Sequence, residues 1–215
     1  YEGSKWAAET MLLTQYRHLP WQIFRVATVI AEGVDGTVRQ MNVVHNTLKL
    51  LYYGLLPVLP GAPGTPLYFV TGQFVTDAIS NLLSHAPVRM IYHVAHTREE
   101  SLELDELIDM AFHAFDRSAA FRRRRVLPPP YVDQPSFAHL TENVQDFGGP
   151  VMKQALASMT PFSRQLFLHK EVKNMRLVSH LPIYQAPDLR RVITAVCDSL
   201  VQTRWGLAVP ELVAV

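Results

Sequence analysis

Three short apolar runs, rich in β-branched and aromatic residues, alternate with stretches of helical periodicity over the first 115 residues. The first, Trp21–Ile30, is bounded by Pro20 and Gly33 and reads as one buried strand. Leu67–Thr71 and Met90–Ala95 read as two more. Residues 1–16 combine Trp6, Ala7, Ala8, Glu9 and Met11 in a helix-compatible stretch. Residues 37–54 bring Val44, Leu48 and Leu51 onto one helical face and stop at Gly54. Phe74–Ser84 shows a similar stripe, and Ser101 is a suitable N-cap for a helix over 102–115. This alternation rules out an all-α or all-β chain and predicts an α/β layer. Three short strands alone leave raw sheet edges, so further strands are expected to complete the layer.

The remainder, residues 116–215, reads as a mainly helical appendage. Residues 117–150 are predicted mostly irregular, with four consecutive arginines at Arg122–Arg125 and three prolines at Pro128–Pro130. Val151–Met159 predicts a short helix, and 160–187 is ambiguous. Asp188–Arg204 predicts a helix on the stripe Leu189, Val192, Val196 and Leu200. Lys+Arg (20) and Asp+Glu (19) nearly balance, which argues against a dedicated nucleic-acid binder. One cysteine, Cys197, cannot form an internal disulfide, so a reducing, cytoplasmic setting is expected. No apolar run approaches the roughly 18 residues a membrane span needs, and the chain opens without a basic-then-apolar leader pattern.

The chemistry concentrates in Tyr1-Glu2-Gly3-Ser4-Lys5-Trp6-Ala7-Ala8-Glu9. Tyr1 and Lys5 stand at i and i+4, on one face of a helix. An ammonium beside a phenol favours tyrosinate and lowers the tyrosine's pKa from its usual value near 10. Such a pair can move a proton to or from a carbonyl or alcohol oxygen. Eight tyrosines and five lysines make the bare spacing weak evidence, with about 0.2 matches expected by chance.

In context, Tyr-x-x-Ser-Lys-Trp-x-x-Glu resembles the active-site helix of extended short-chain dehydrogenases/reductases. It is most similar to the thioester-reductase and fatty-acyl-reductase, or "male sterility", branch. Phe24-Arg25-Val26-Ala27-Thr28-Val29 resembles that family's next strand, and Pro57-Val58-Leu59-Pro60-Gly61 its proline-glycine loop. Phe74-Val75-Thr76-Asp77-Ala78-Ile79 resembles a later helix, and Tyr92-His93-Val94 a later strand. The resemblance covers about residues 1–115. It implies the C-terminal part of a Rossmann-type doubly wound sheet, with the helix at 37–54 lining a substrate cleft and 116–215 forming a mostly helical substrate-binding region. It also implies Tyr1 as catalytic acid/base and Lys5 as the group that lowers its pKa and bonds the nicotinamide ribose. Val26, Ala27, Thr28 and Val29 would lie along the nicotinamide of NADPH, with NADH as the alternative. Two positions depart from the pattern: Val26 stands for the usual proline, and Thr71-Gly72-Gln73 for a Val-Asp pair. The family's Gly-rich phosphate loop is absent from this sequence.

Other candidates carry two readings each. Asn42, His45 and Asn46 could touch substrate or form a solvated helix face. Arg122–Arg125 could attract an anion or an acidic carrier domain, or simply be solvated. The nine histidines include no His-Glu-x-x-His, and no metal site is expected. Cys197 is expected to be a buried core residue. The resulting expectation is the C-terminal portion of an NAD(P)H-dependent oxidoreductase acting on a hydrophobic carbonyl or acyl-thioester substrate, either free or carried on a protein. Its partner would be the missing N-terminal Rossmann half, on the same or another polypeptide, and a homodimer is compatible with it. A nucleotide-sugar epimerase or dehydratase, and a non-catalytic interaction module, are the alternatives.

Overall fold

The apolar run after Pro20 forms two strands instead of one. The computed structural model, which describes residues 2–147, 149–168 and 170–206, places β1 at Gln22–Val26 and β2 at Thr28–Ala31. β1 pairs in parallel with β6 (Met90–Val94), with Gln22 opposite Met90 and Val26 opposite Val94. β2 pairs in parallel with β5 (Phe69–Thr71), with Thr28 opposite Phe69. The change of partner occurs at Ala27, whose N–H bonds the Val94 carbonyl (3.0 Å), whereas the next N–H, from Thr28, bonds the Tyr68 carbonyl (3.3 Å). A continuous apolar run carries no alternation from which a change of partner could be read.

The remaining strands are two-residue pairs. β3 (Leu59–Pro60) runs parallel to β8 (Tyr131–Val132), and β4 (Pro66–Leu67) is antiparallel to β7 (Leu102–Glu103). The helices are α1 (Glu2–Thr14), α2 (Val43–Tyr53), α3 (Gly72–His85), α4 (Leu104–Phe115), α5 (Ala119–Arg124), α6 (Gln134–Phe147), α7 (Pro150–Leu166), α8 (Met175–His180) and α9 (Leu189–Gln202). The α/β class and the parallel pairing match a Rossmann-type sheet with a helical appendage.

The caps correct several predicted boundaries. α2 begins at residue 43, not 37, because the Asn42 side chain accepts the N–H groups of Val44 and His45. It ends where Gly54 turns left-handed (φ 67°) and returns its N–H to the Leu50 and Leu51 carbonyls. α4 is capped by Glu103, in a reciprocal box with Glu106, and not by Ser101, whose hydroxyl bonds the Thr97 carbonyl instead. At α3, Thr71 supplies the cap by accepting the Phe74 N–H at 3.2 Å. The stretch predicted irregular, 117–150, contains α5, β8 and α6, and α7 runs seven residues beyond the predicted end at Met159.

The larger core draws on both parts of the chain. Leu48, Leu51 and Tyr52 of α2 meet Phe121 and Met159 of the appendage, and α9 lays Val192, Val196 and Leu200 against α4. Gly36 shows how tightly the loop after β2 seats on α9. Its φ is 74°, and a Cβ there would lie 2.3 Å from the Ala195 carbonyl carbon, so only glycine fits. A smaller core surrounds β6, where Tyr92 and Val94 pack with Leu82 of α3 and Leu177 of α8. α1 buries none of its residues, and Trp6 on it is 72% exposed.

Candidate active-site cleft

The split at Ala27 opens a cleft at the carboxyl ends of β1 and β6, the edge where open α/β sheets take their ligands. The cleft measures about 450 Å³. Val26, Ala27 and Thr28 line one side, and Phe162, Leu166 and Val172 of the appendage line the other. Three of the four predicted cofactor contacts are therefore together. Val26 is 41% exposed and lies next to the small Ala27, an apolar ledge on which a planar ring can lie.

The Glu9–Arg25 ion pair ties α1 to this edge. Glu9 pairs with Arg25 of β1, and that pairing raises the already high pKa of the guanidinium. Arg25 also donates to His93 Nε2 (3.3 Å), which leaves Nδ1 as the donor to the Lys173 carbonyl (3.0 Å). Exposed ion pairs contribute little stability, so the value of this one is positional. Lys5 lies one turn before Glu9 on the same face of α1 and is exposed. Tyr1 lies outside the described residues.

The fourth predicted cofactor contact, Val29, lines a neighbouring cleft of about 350 Å³ together with Asn42 and His45. Here the polar atoms are committed inside the chain. Asn42 Nδ2 donates to the Val29 carbonyl (2.7 Å), and His45 Nε2 donates to the Ile30 carbonyl (2.8 Å). His45 Nδ1 accepts the Asn42 backbone N–H (3.0 Å). His45 is buried, with both ring nitrogens engaged. The reading of His45 as a substrate contact or as part of a solvated face is thus corrected: with Asn42 it braces α2 against β2. Asn46, one residue on, is exposed.

A second buried histidine lies just past β6. His96 Nδ1 donates to the Tyr184 hydroxyl (3.1 Å), and that hydroxyl donates to Glu100 Oε2 (2.6 Å). His96 Nε2 has no partner. Burial, the largest influence on each, pushes the pKa of both His45 and His96 below the ordinary histidine value. The unfolded chain therefore binds two protons that the folded chain refuses. Stability is full above about pH 6.5 and falls as pH drops below it, by up to about 1.4 kcal/mol per pH unit for each histidine. Urea midpoints measured at pH 7.5 and 5.5 should show this fall. The combined His45→Gln and His96→Gln variant should lose most of the dependence, and an unchanged dependence would reject the assignment.

Tyr68 and His93 are cleft residues that sequence reasoning did not select. For His93 a signal existed. In a strand, residues i and i+2 share a face, and Tyr92 and Val94 are apolar core positions, so His93 between them must point the other way.

Comparison with known proteins agrees with this architecture. The NAD-binding family described as male sterility protein matches residues 1–79. No curated protein matches the chain in sequence. Among solved structures, the terminal R domain from the myxalamid PKS-NRPS biosynthetic pathway superposes with a TM-score of 0.60 at 18% identity, covering 97% of this chain and 50% of that one. A nucleoside-diphosphate-sugar epimerase from Pseudomonas aeruginosa gives 0.59 at 13% identity, with 94% and 55% covered. RMD from the same organism, complexed with NADPH, gives 0.50 at 16% identity, with 93% and 56% covered. The chain thus spans about half the length of the solved structures it matches. The fold is the Rossmann-type fold of these proteins, and the family match falls within the first 115 residues, where the sequence resemblance lies.

Proposed function

We propose that this chain is the C-terminal part of an NADPH-dependent reductase acting on a hydrophobic carbonyl or acyl thioester. The observation that carries the reading is the cleft at the carboxyl ends of β1 and β6, lined by the Val26–Thr28 ledge and by Phe162, Leu166, Leu168 and Val172, with Gln165 and Lys170 among them. The residues present suit the nicotinamide end of such a cofactor. They do not suit its pyrophosphate, because no Gly-rich turn leading into a helix occurs in the sequence. The phosphates, and the choice between NADPH and NADH, are assigned to a Rossmann half outside these residues.

When bound, the cofactor supplies the hydride that adds to the carbonyl carbon. Tyr1 gives its proton to the carbonyl oxygen as the carbon–oxygen π bond opens; with an aldehyde this completes the reduction to alcohol, and with a thioester it gives a hemithioacetal whose carbon–sulfur bond then breaks to release thiol and aldehyde. Lys5, one helical turn away in sequence, lowers the tyrosine's pKa and bonds the ribose. Arg25 and Glu9 tie α1 to β1, which brings the face bearing Lys5 to the edge where Val26 lies. Phe162, Leu166 and Val172 hold the apolar body of the substrate and exclude water.

The epimerase alternative would call for polar contacts to a sugar and a nucleotide, and the cleft lining sets polar Gln165 and Lys170 beside apolar Phe162, Leu166, Leu168 and Val172, so turnover decides between the two. The protein is to be incubated with NADPH and, in parallel, with acyl thioesters, aldehydes and nucleotide sugars. Aldehyde or alcohol formed in step with NADPH oxidation is expected from the first two sets. Turnover of a nucleotide sugar without net cofactor oxidation would overturn the reading in favour of an epimerase.

A further inference from the structure

The cleft has a third wall that belongs to no helix or strand. Residues 170–174 cross from α7 to α8 without regular structure, and Lys170 and Val172 of this strap line the cleft. Its backbone groups find their partners on β6 and on the link between β4 and β5 beneath. The Val172 N–H donates to the Tyr68 hydroxyl (3.2 Å), and that hydroxyl donates to the Lys170 carbonyl (3.3 Å). His93 Nδ1 donates to the Lys173 carbonyl (3.0 Å). At the far end, the buried Asn174 side chain donates to the Ala95 carbonyl (2.9 Å). A strap this short, without a helical or sheet ladder of its own, takes its position from the side chains that satisfy its backbone.

We propose that Tyr68 and His93 are positioning residues that latch the 170–174 strap over the cleft, and that the latched strap sets the width of the apolar slot and hence which acyl chains enter. The assignment rests on the reductase reading for its substrate and on geometry alone for the latch. His93 rises from β6 and Tyr68 from the single residue that links β4 to β5, and both line the cleft, so the wall and the floor are registered to one another. Arg25 adds to this by holding the His93 ring in the tautomer that donates to the strap.

Two measurements on the protein separate the latch from the reading beneath it. Tyr68→Phe keeps the ring and removes the hydroxyl. Amide hydrogen exchange at Val172 should then quicken about three- to tenfold, the range one neutral hydrogen bond supports, while exchange in α3 and β6 stays unchanged. With a series of saturated acyl-coenzyme A thioesters of increasing length as probes, KM for the preferred chain length should rise about three- to tenfold with kcat within about twofold, and the preference among lengths should flatten. His93→Asn, which retains a donor, should stay nearer to wild type than His93→Leu. Unchanged exchange at Val172 would overturn the latch. Faster exchange with an unaltered length preference would overturn the strap's role in selecting substrate. If the wild-type protein reduces no thioester or aldehyde, the reductase reading and the selection role fall together, and the exchange result still decides the latch.

Discussion

In the protein that carries the N-terminal Rossmann half as well, replacing Tyr1 by phenylalanine is expected to lower reductive turnover by about 10²–10⁴-fold, the usual contribution of one positioned general acid. NADPH affinity should be nearly unchanged, because the substitution removes a proton donor and leaves the ring. Lys5→Met should have a smaller effect of a different kind. Without the ammonium at i+4, the phenol returns toward its ordinary pKa, so any limb of the pH–rate profile that reports its ionisation should move alkaline. The two variants together distinguish the group that transfers the proton from the group that tunes it. Steady-state rates across pH, with cofactor affinity measured by fluorescence, check both. Retained turnover in Tyr1→Phe would reject the tyrosine as the acid.

Truncating Tyr52 to alanine should cost about 3–5 kcal/mol of stability, the range for removing a large aromatic from a core. Tyr52 is buried, and its ring meets Phe115 (5.2 Å between centroids), Phe121 (5.4 Å) and Trp205 (5.4 Å). The Arg124 guanidinium lies 5.1 Å from the ring centre, and the hydroxyl bonds Ser118 (2.9 Å). One side chain of α2 thus joins α4, α5 and the turn after α9. Tyr52→Phe keeps every ring contact and should cost only about 1 kcal/mol, the net worth of one hydrogen bond. Urea unfolding of the pair gives the comparison. A cost below about 1 kcal/mol for the alanine variant would mean that the surrounding rings collapse into the space, and would contradict the hub assignment.

Much of the fold is legible along the chain. α9 is readable from Leu189, Val192, Val196 and Leu200 on one face and from Asp188, whose side chain accepts the Arg190 N–H. α2 and α3 are readable from their apolar stripes, with errors only at the ends. α7 is harder to read because the helix continues through Pro161, which lacks an N–H and ordinarily marks an end. Its buried Ala155, Met159, Phe162 and Leu166 nevertheless keep helical spacing across that position. Among the described side chains of α6, the buried apolar residues are Phe137 and Val144, two turns apart, too sparse a stripe to stand out from loop.

The candidate site divides in the same way. The Tyr1–Lys5 spacing is a local property, and its chemistry can be stated from four consecutive peptide units of helix. The pairing of Val26–Thr28 with an apolar wall is not local. Nor is the turning of Asn42 and His45 inward onto Val29 and Ile30, which converts expected ligand contacts into a brace.

Most helix positions and the Tyr1–Lys5 spacing are set by the sequence itself, because each depends on residues within about one or two turns of one another. Three features were decided only by the tertiary structure: the exchange of strand partners at Ala27, the burial of His45 and His96, and the strap that closes the cleft. Each depends on groups distant in the chain. Val172 meets Tyr68 across 104 residues, and Lys173 meets His93 across 80. No local periodicity encodes such a meeting. It follows from where the strands and helices come to rest once their apolar faces are buried.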